Sequence, residues 1–184
     1  MLWIILIIVV LLILFIISVY NSLVTLRQRV KNAFVKIDVQ LQRRLDLITN
    51  LVETVKGYMT HESDTLAKVT ELRTAWAGAK TVDEKAKLDN ELSNTLKTIM
   101  AVAEAYPDLK ANQNFESLQN ELTETENKIS YSRQFYNDTV TRYNTKLELF
   151  PSNIIAGMFH FTAESLFEVD SAEARKNVKV DFNK

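Results

Sequence analysis

The chain has 184 residues, of which 47% are hydrophobic and 24% charged, and its formal net charge is −1. Residues 21–60 hold seven Lys/Arg against three Asp/Glu, whereas the rest of the chain holds fifteen basic and twenty acidic residues, a distribution that argues against a nucleic-acid-binding domain. The sequence has no Cys, which excludes disulfides, thiolate metal sites and a cysteine nucleophile. Because it has only three Gly and two Pro, long helices are expected.

The first 20 residues are predicted to form a transmembrane anchor. Residues 1–17 are uninterrupted apolar, and the next three extend the run to about the 20 residues that a helix needs to cross the hydrocarbon. No basic region precedes this run and no small-x-small site follows it, so an uncleaved anchor is preferred to a cleaved signal peptide. The residues predicted to lie in the membrane, with aromatic side chains near both ends, include Leu2, Trp3, Phe15, Val19 and Tyr20.

The charged residues that flank this segment predict its orientation. No Lys or Arg precedes it, whereas four follow within about 20 residues of its end: Arg27, Arg29, Lys31 and Lys36. The rest of the chain is therefore expected in the cytoplasm, with the N-terminus outside. The same four cations are candidate contacts for anionic lipid headgroups, although they have the alternative role of setting topology alone.

Helical periodicity continues beyond the anchor. Between residues 23 and 59 apolar side chains recur every three or four positions, which predicts one amphipathic helix. No Gly or Pro separates it from the anchor, since the first such residue is Gly57, so one unbroken helix over residues 2 to about 59 is expected. A second apolar pattern follows. It is interrupted at Gly78 and the capping-box signature Thr81-x-x-Glu84, which predicts a break, and it ends at Tyr106-Pro107.

The C-terminal half is predicted to hold one more long helix. Residues 107–113 form a turn, and the helix runs from near Asn114 to Pro151. The apolar run at 154–159 and the Phe residues after it predict a fourth, shorter helix that caps the bundle; the alternative is that this run lies in the bilayer interface or against another subunit. The final residues, 169–184, are a charged tail.

The predicted fold is therefore all-α: a transmembrane helix (1–20) continuous with a long antiparallel helical bundle (21–168) of three long helices, the second broken, plus a short C-terminal helix.

Several long motifs resemble the LemA family. They are YNSLVTLRQRVKNAF at 20–34, IDVQLQRRLDLITNLVETVKGYMTHE at 37–62, AEAYPDLKANQNFESLQNEL at 103–122, ENKISYSRQFYNDTVTRYN at 126–144 and FPSNIIAGMF at 150–159. The resemblance implies a bacterial or archaeal inner-membrane protein with one N-terminal span and a long helical bundle. Family relatives in magnetosome-forming bacteria are associated with making membrane compartments, which favours a membrane-shaping or scaffolding role here.

No residue pattern typical of an active site is found. His61-Glu62 begins like the zinc-binding helix motif, but Thr65 stands where the second His would be needed. His160 has no second His nearby, and three separated glycines cannot build a phosphate loop or a nucleophile elbow. We therefore expect no catalytic residue, no metal, no cofactor, no small-molecule substrate and no nucleic acid.

Two regions are candidate surfaces for self-association or for a partner. The turn that contains Tyr106, Pro107 and Asp108 either caps two helices, with Asp108 and Asn112 bonding free amides, or docks another protein. The other set has aromatic and Arg side chains that suit either core packing or a contact between subunits. Its members are Tyr131, Arg133, Tyr136, Arg142 and Tyr143 on the last long helix, and Phe159 and Phe161 in the tail.

The sequence thus predicts a non-enzymatic, membrane-anchored protein. The leading hypothesis is a homo-oligomeric scaffold that organises or remodels the bacterial inner membrane. The alternative is an adaptor that docks another membrane protein, such as a sensor or a protease. Membrane lipid is an expected partner in both.

Overall fold

The computed structural model describes residues 1–58 and 63–168, with only the backbone described for residues 63–66. The predicted motif at His61-Glu62 and the charged tail at 169–184 lie outside these residues. The described residues form helices and connecting segments with no strand. The helices are α1 (Leu2–Lys56), α2 (Ser63–Gly78), α3 (Val82–Ala103), α4 (Pro107–Lys110), α5 (Gln113–Glu148) and α6 (Ser152–Met158). The predicted all-α fold is confirmed.

Helix α1 is one uninterrupted helix of 55 residues. No Gly or Pro interrupts it, as the sequence predicts, and it ends at Lys56, before Gly57, rather than near residue 59. Side chains of residues 2–15 are exposed, whereas from Leu23 onward one face is buried against the rest of the chain. The apolar anchor segment and the central helix of the bundle are therefore a single element.

Helices α2 and α3 pack against each other as a hairpin beside α1. The predicted break lies at residues 79–81, where the chain reverses direction. Thr81 begins α3 with the predicted capping box: its hydroxyl accepts from the Glu84 N–H, while the Glu84 carboxylate accepts from the Thr81 N–H. The N–H groups of Thr81 and Lys80 lower the pKa of Glu84 because they stabilise the carboxylate.

Helix α5 has 36 residues and packs along α1 as the main helix pair of the bundle. The turn before it includes one short helix, α4, whose Leu109 is fully buried. Asn112 caps α5, since its side-chain oxygen accepts from the N–H groups of Asn114 and Phe115. The core of the bundle lies along α1, between α5 and the α2–α3 hairpin.

The C-terminal segment folds back onto the bundle. Helix α6 has only seven residues, and residues 161–168 form no helix. The apolar residues beyond α6, Phe161 and Phe167, instead contact the bundle from a segment without regular secondary structure. The backbone of this segment bonds to side chains of α5, which is why a helical pattern of apolar residues did not produce a longer helix.

Candidate functional site

The end of the bundle next to the apolar segment of α1 is built where α6 packs on α1. Val19 and Leu23 of α1 form a small buried cluster with Ile155 and Ala156 of α6, and Ile16 and Tyr20 pack against it. The Tyr20 ring also lies 4.7 Å from the ring of Phe159 and 5.7 Å from that of Phe161, measured between centroids. Helix α6 therefore lies beside the last turn of the apolar segment.

The four candidate lipid-contacting cations occupy different environments along α1. Arg29 and Lys31 are exposed. Arg27 is half-buried, with its guanidinium carbon 5.0 Å from the Phe161 ring centroid. Lys36 is exposed and lies over the Phe135 ring of α5 at 5.1 Å. These side chains thus form a basic zone immediately beyond α6, and two of them pack on aromatic rings.

Two Tyr-Asn pairs on α5 hold the C-terminal segment against the bundle. Tyr136 donates its hydroxyl to the Ser165 carbonyl at 2.8 Å, and Tyr143 donates to the Thr162 carbonyl at 3.1 Å. The Asn residue that follows each Tyr binds both backbone polar groups of one residue in the segment. Asn137 pairs in this way with Phe167, and Asn144 pairs with Glu164. We call these four side chains the Tyr-Asn clamp.

The clamp corrects part of the predicted association surface. Tyr136 and Tyr143 are buried rather than surface residues, because the C-terminal segment covers them. Burial raises the pKa of Tyr136 to about 12 and also raises the pKa of Tyr143. Tyr131 and Arg142 are exposed, whereas Phe159 is exposed but packs one face on Tyr20.

Arg133 also departs from a surface role, because it belongs to a buried charge cluster. The cluster comprises Arg44 of α1, Asp89 of α3, and Glu126 and Arg133 of α5. Asp89 is fully buried and accepts from Arg44 at 2.8 Å and from Arg133 through its other oxygen. Glu126 lies 3.2 Å from Arg44. Burial raises the pKa of Asp89, while the guanidinium groups of Arg133 and Arg44 oppose that rise.

A second buried cation, Lys85, joins the hairpin to α1. Its ammonium pairs with Asp38 and lies 5.2 Å from the Trp76 ring and 5.8 Å from the Phe34 ring. Aromatic faces and a carboxylate thus replace most of the water around this charge. Together with the charge cluster, this contact fixes the position of α3 on α1 by polar bonds.

A groove of about 1210 Å³ lies between α3 and α5. It is lined mainly by polar side chains, with Asn90 and Asn94 on α3, Gln119 and Thr123 on α5, and Arg44 beneath. Lys110 and Phe115 also line it, so the groove reaches the turn at 106–112. Among the side chains that the structure describes, no group of three His, Asp or Glu is placed to hold a metal ion.

The turn at 106–112 combines buried and exposed residues. Tyr106 packs partly against the core, while Pro107 and Asp108 are exposed. Asn112 caps α5 and donates its amide to the Tyr58 hydroxyl at 3.2 Å, which ties the turn to the far end of α1. The predicted capping by Asn112 is therefore present, whereas Tyr106, the N-cap residue of α4, makes no side-chain cap hydrogen bond.

Sequence reasoning missed Asp89, Lys85 and the role of the two Asn residues in the clamp. Asp89 and Lys85 lie on the face of α3 that also carries buried Leu92 and Ala86. Their spacing from these apolar residues in the sequence could therefore have predicted that both charged side chains are buried. The clamp had a simpler signal, since Tyr-Asn occurs twice seven residues apart, at 136–137 and 143–144. Residues seven apart share one helix face.

These features define an all-helical protein whose bundle is continuous with an N-terminal helix that is long and apolar enough to cross a membrane. The sequence pattern of the LemA family matches residues 33–182, and the chain belongs to that family. Protein LemA of Metamycoplasma hominis is 24% identical, over 83% of this chain and 70% of that protein. Magnetosome proteins MamQ 2 and MamQ 1 of Paramagnetospirillum magneticum are each 25% identical over 81% of this chain. The chain spans 64% of the length of those two proteins, just under two thirds.

Proposed function

We propose that this protein is a non-enzymatic scaffold of the bacterial inner membrane, anchored by residues 2–20 with its bundle in the cytoplasm, and that it self-associates to organise or remodel the bilayer. The observation that carries the proposal is the continuity of α1. A single helix leaves the apolar segment and becomes the central element of the bundle, with no Gly or Pro between them. Such a joint transmits force between bilayer and bundle, which a flexible linker does not.

Relatives and surface chemistry support this role. The two relatives from Paramagnetospirillum magneticum are named as magnetosome proteins. On this chain, Val35 and Val39 lie one turn apart on α1, on either side of Lys36 in the sequence, and each is 58% exposed. Exposed apolar side chains at this spacing suit a contact with a helix of a second copy.

The test compares full-length protein in mild detergent with two double variants, by light scattering and negative-stain imaging. The wild-type protein is expected to form assemblies larger than a dimer. Val35→Glu with Val39→Glu should reduce these assemblies to monomers, because it places carboxylates in the apolar contact. Gln28→Glu with Asn50→Glu adds the same charge at other exposed positions of α1 and should leave the assemblies intact. A monodisperse monomer or dimer of the wild type would contradict the scaffold.

One observation favours the adaptor as a second function. The groove between α3 and α5 reaches the turn where Pro107 and Asp108 are exposed, at the end of the bundle opposite α6. A segment of another membrane protein that binds there would meet polar side chains along the groove and the turn at its end. Crosslinking from Asp108→Cys in cells tests this role, since an adaptor should yield one discrete adduct of defined mass, and Tyr131→Cys on exposed α5 should not.

A further inference from the structure

Residues 149–163 form the longest part of the bundle region that lacks Asp, Glu, Lys and Arg. Large apolar side chains within it are exposed rather than packed: Leu149, Phe150, Ile154, Met158 and Phe159. Phe150 is 79% exposed and Met158 is 62% exposed. The opposite side of α6 is buried through Ile155 and Ala156. Helix α6 is thus apolar on both sides, although it lies on the outside of the bundle.

The position of this segment along α1 is set by its contacts. Its buried side packs on Val19 and Leu23, with Ile16 and Tyr20 at the edge of the contact. Ile16, Val19 and Tyr20 belong to the last turn and a half of the apolar run, and the helix rises only about 6 Å from residue 16 to residue 20. When residues 2–20 cross the bilayer, α6 lies at the depth where hydrocarbon meets the headgroups.

We infer that residues 149–159, which we call the apolar foot, insert into the cytoplasmic interface of the bilayer and hold the bundle to the membrane at a second point. This inference rests on the membrane anchoring in the proposed function. It adds a lipid-binding surface formed by a part of the chain 130 residues away from the anchor. Short, uncharged, aromatic-rich segments with exposed apolar side chains are suited to this depth.

The surroundings of the foot favour lipid as its occupant over a second copy of the chain. The exposed apolar side chains of the foot adjoin the apolar segment of α1, whose residues 2–15 are all exposed, so the two form one continuous apolar surface. Cations border this surface on the bundle side: Arg27 over the Phe161 ring, and Arg142 and Lys146 near the end of α5. An apolar surface edged by cations matches the order of acyl chains and anionic phosphates in a leaflet.

A second contact with the membrane has a mechanical consequence. One helix in a bilayer is free to rotate about its axis and to tilt in any direction. With the foot inserted beside it, the side of α1 that carries Val19 and Leu23 faces the foot, so the rotation of the bundle relative to the membrane plane is fixed. The foot also occupies area in one leaflet only, which is the geometry that favours bilayer curvature.

The test uses single-cysteine variants of the full-length protein, which are unambiguous because the chain has no native Cys. Ile154→Cys and Met158→Cys report on the foot. Asn50→Cys, at an exposed position of α1 outside the proposed contact at Val35 and Val39, is the control in the bundle, and Leu11→Cys reports on the anchor. Each variant is spin-labelled and reconstituted in vesicles of equal parts phosphatidylethanolamine and phosphatidylglycerol. Collisions with oxygen, which concentrates in lipid, are compared with collisions with a water-soluble nickel chelate.

The labels at 154 and 158 are expected to give an oxygen-to-nickel accessibility ratio several-fold above that at 50 and below that at 11. A ratio at 154 and 158 equal to that at 50, with the label at 11 still in lipid, would overturn the foot while leaving the anchor intact. Nickel access at position 11 as well would overturn both. Dipolar broadening between labels at 158, with shielding from both reagents, would show a contact between copies and would also overturn the foot.

Discussion

Arg44 on α1 donates to Oδ1 of Asp89 on α3 across 2.8 Å, and both side chains are buried. Arg133 on α5 binds the other oxygen of the same carboxylate. One buried acid therefore accepts from two helices while belonging to a third, and a slip of any of the three helices by one turn would break a bond. The charge cluster thus fixes the longitudinal alignment of the bundle.

Asp89→Ala is expected to destabilise the bundle by about 3–5 kcal/mol, because it leaves the buried guanidinium of Arg44 and the partly buried guanidinium of Arg133 without their shared acceptor. Urea unfolding followed by circular dichroism measures this change. The matched control is Glu121→Ala, which removes an acid that pairs with Arg43 at 3.5 Å on the surface, and which should cost less than about 1 kcal/mol. An equal loss in the free energy of unfolding for the two variants would show that the bonds to Asp89 stabilise the bundle no more than a surface ion pair does.

Removing the clamp amides should release the C-terminal segment. Asn144→Ala loses two bonds to Glu164, which at about 1 kcal/mol for each hydrogen bond predicts a loss of about 2 kcal/mol. Asn137→Ala loses the equivalent bonds to Phe167 and should cost about the same. Limited proteolysis should then cleave near residues 161–168 faster than in wild type. Asn120→Ala, at an exposed position of α5, serves as the control and should leave the cleavage rate unchanged.

The buried hydroxyl of Tyr136 predicts a loss of stability in alkali. Its pKa is raised from 10.0 to about 12 by burial, so the folded state disfavours the phenolate. The contribution of the protonated Tyr136 hydroxyl to the free energy of unfolding is fully present below pH 10. It is lost as the pH rises from 10 to about 12, because in this range the unfolded chain binds fewer protons than the folded chain. Unfolding of Tyr136→Phe should therefore depend less on pH in this range than that of wild type. Tyr131→Phe, at an exposed position, should retain the wild-type dependence.

The basic zone is expected to determine the orientation of the anchor. Changing Arg27, Arg29, Lys31 and Lys36 to Gln should increase the fraction of molecules whose bundle lies outside the cytoplasm, because the positive flank is then lost. An Asn50→Cys reporter, at an exposed position of α1, and a membrane-impermeant maleimide in intact cells measure that fraction. Changing Arg43 and Lys56, which lie farther from the span, to Gln should have little effect. An unchanged orientation in the fourfold variant would contradict the role of these cations.

The helices of this protein were predictable because their signals are local. The apolar period, the capping box at Thr81 and Glu84, and the stop at Pro151 each act within a few residues. The fold of α2 against α3 and the extended course of residues 161–168 depend on contacts between distant positions, which a helical pattern does not encode. Arg44 and Asp89 are 45 positions apart, so their pairing required the alignment of two helices to be known. The sequence pattern around Tyr136 and Tyr143 suited either core packing or a contact between subunits. Only the C-terminal segment, which covers both side chains, decides between these alternatives.

Because α1 is unbroken, the position of its far end depends on the tilt of its apolar segment. Residue 56 lies 36 residues beyond the end of the apolar run, or roughly 54 Å along the helix. A change of about 10° in the tilt of the span would move the far end of the helix sideways by about 9 Å at that length. The hydroxyl of Tyr58 accepts from Asn112 at this end, so the turn with Pro107 and Asp108 moves with it. With residues 2–20 across the bilayer, as proposed, a change in bilayer thickness or curvature that tilts the span would therefore displace this turn by a distance large enough to make or break a protein contact.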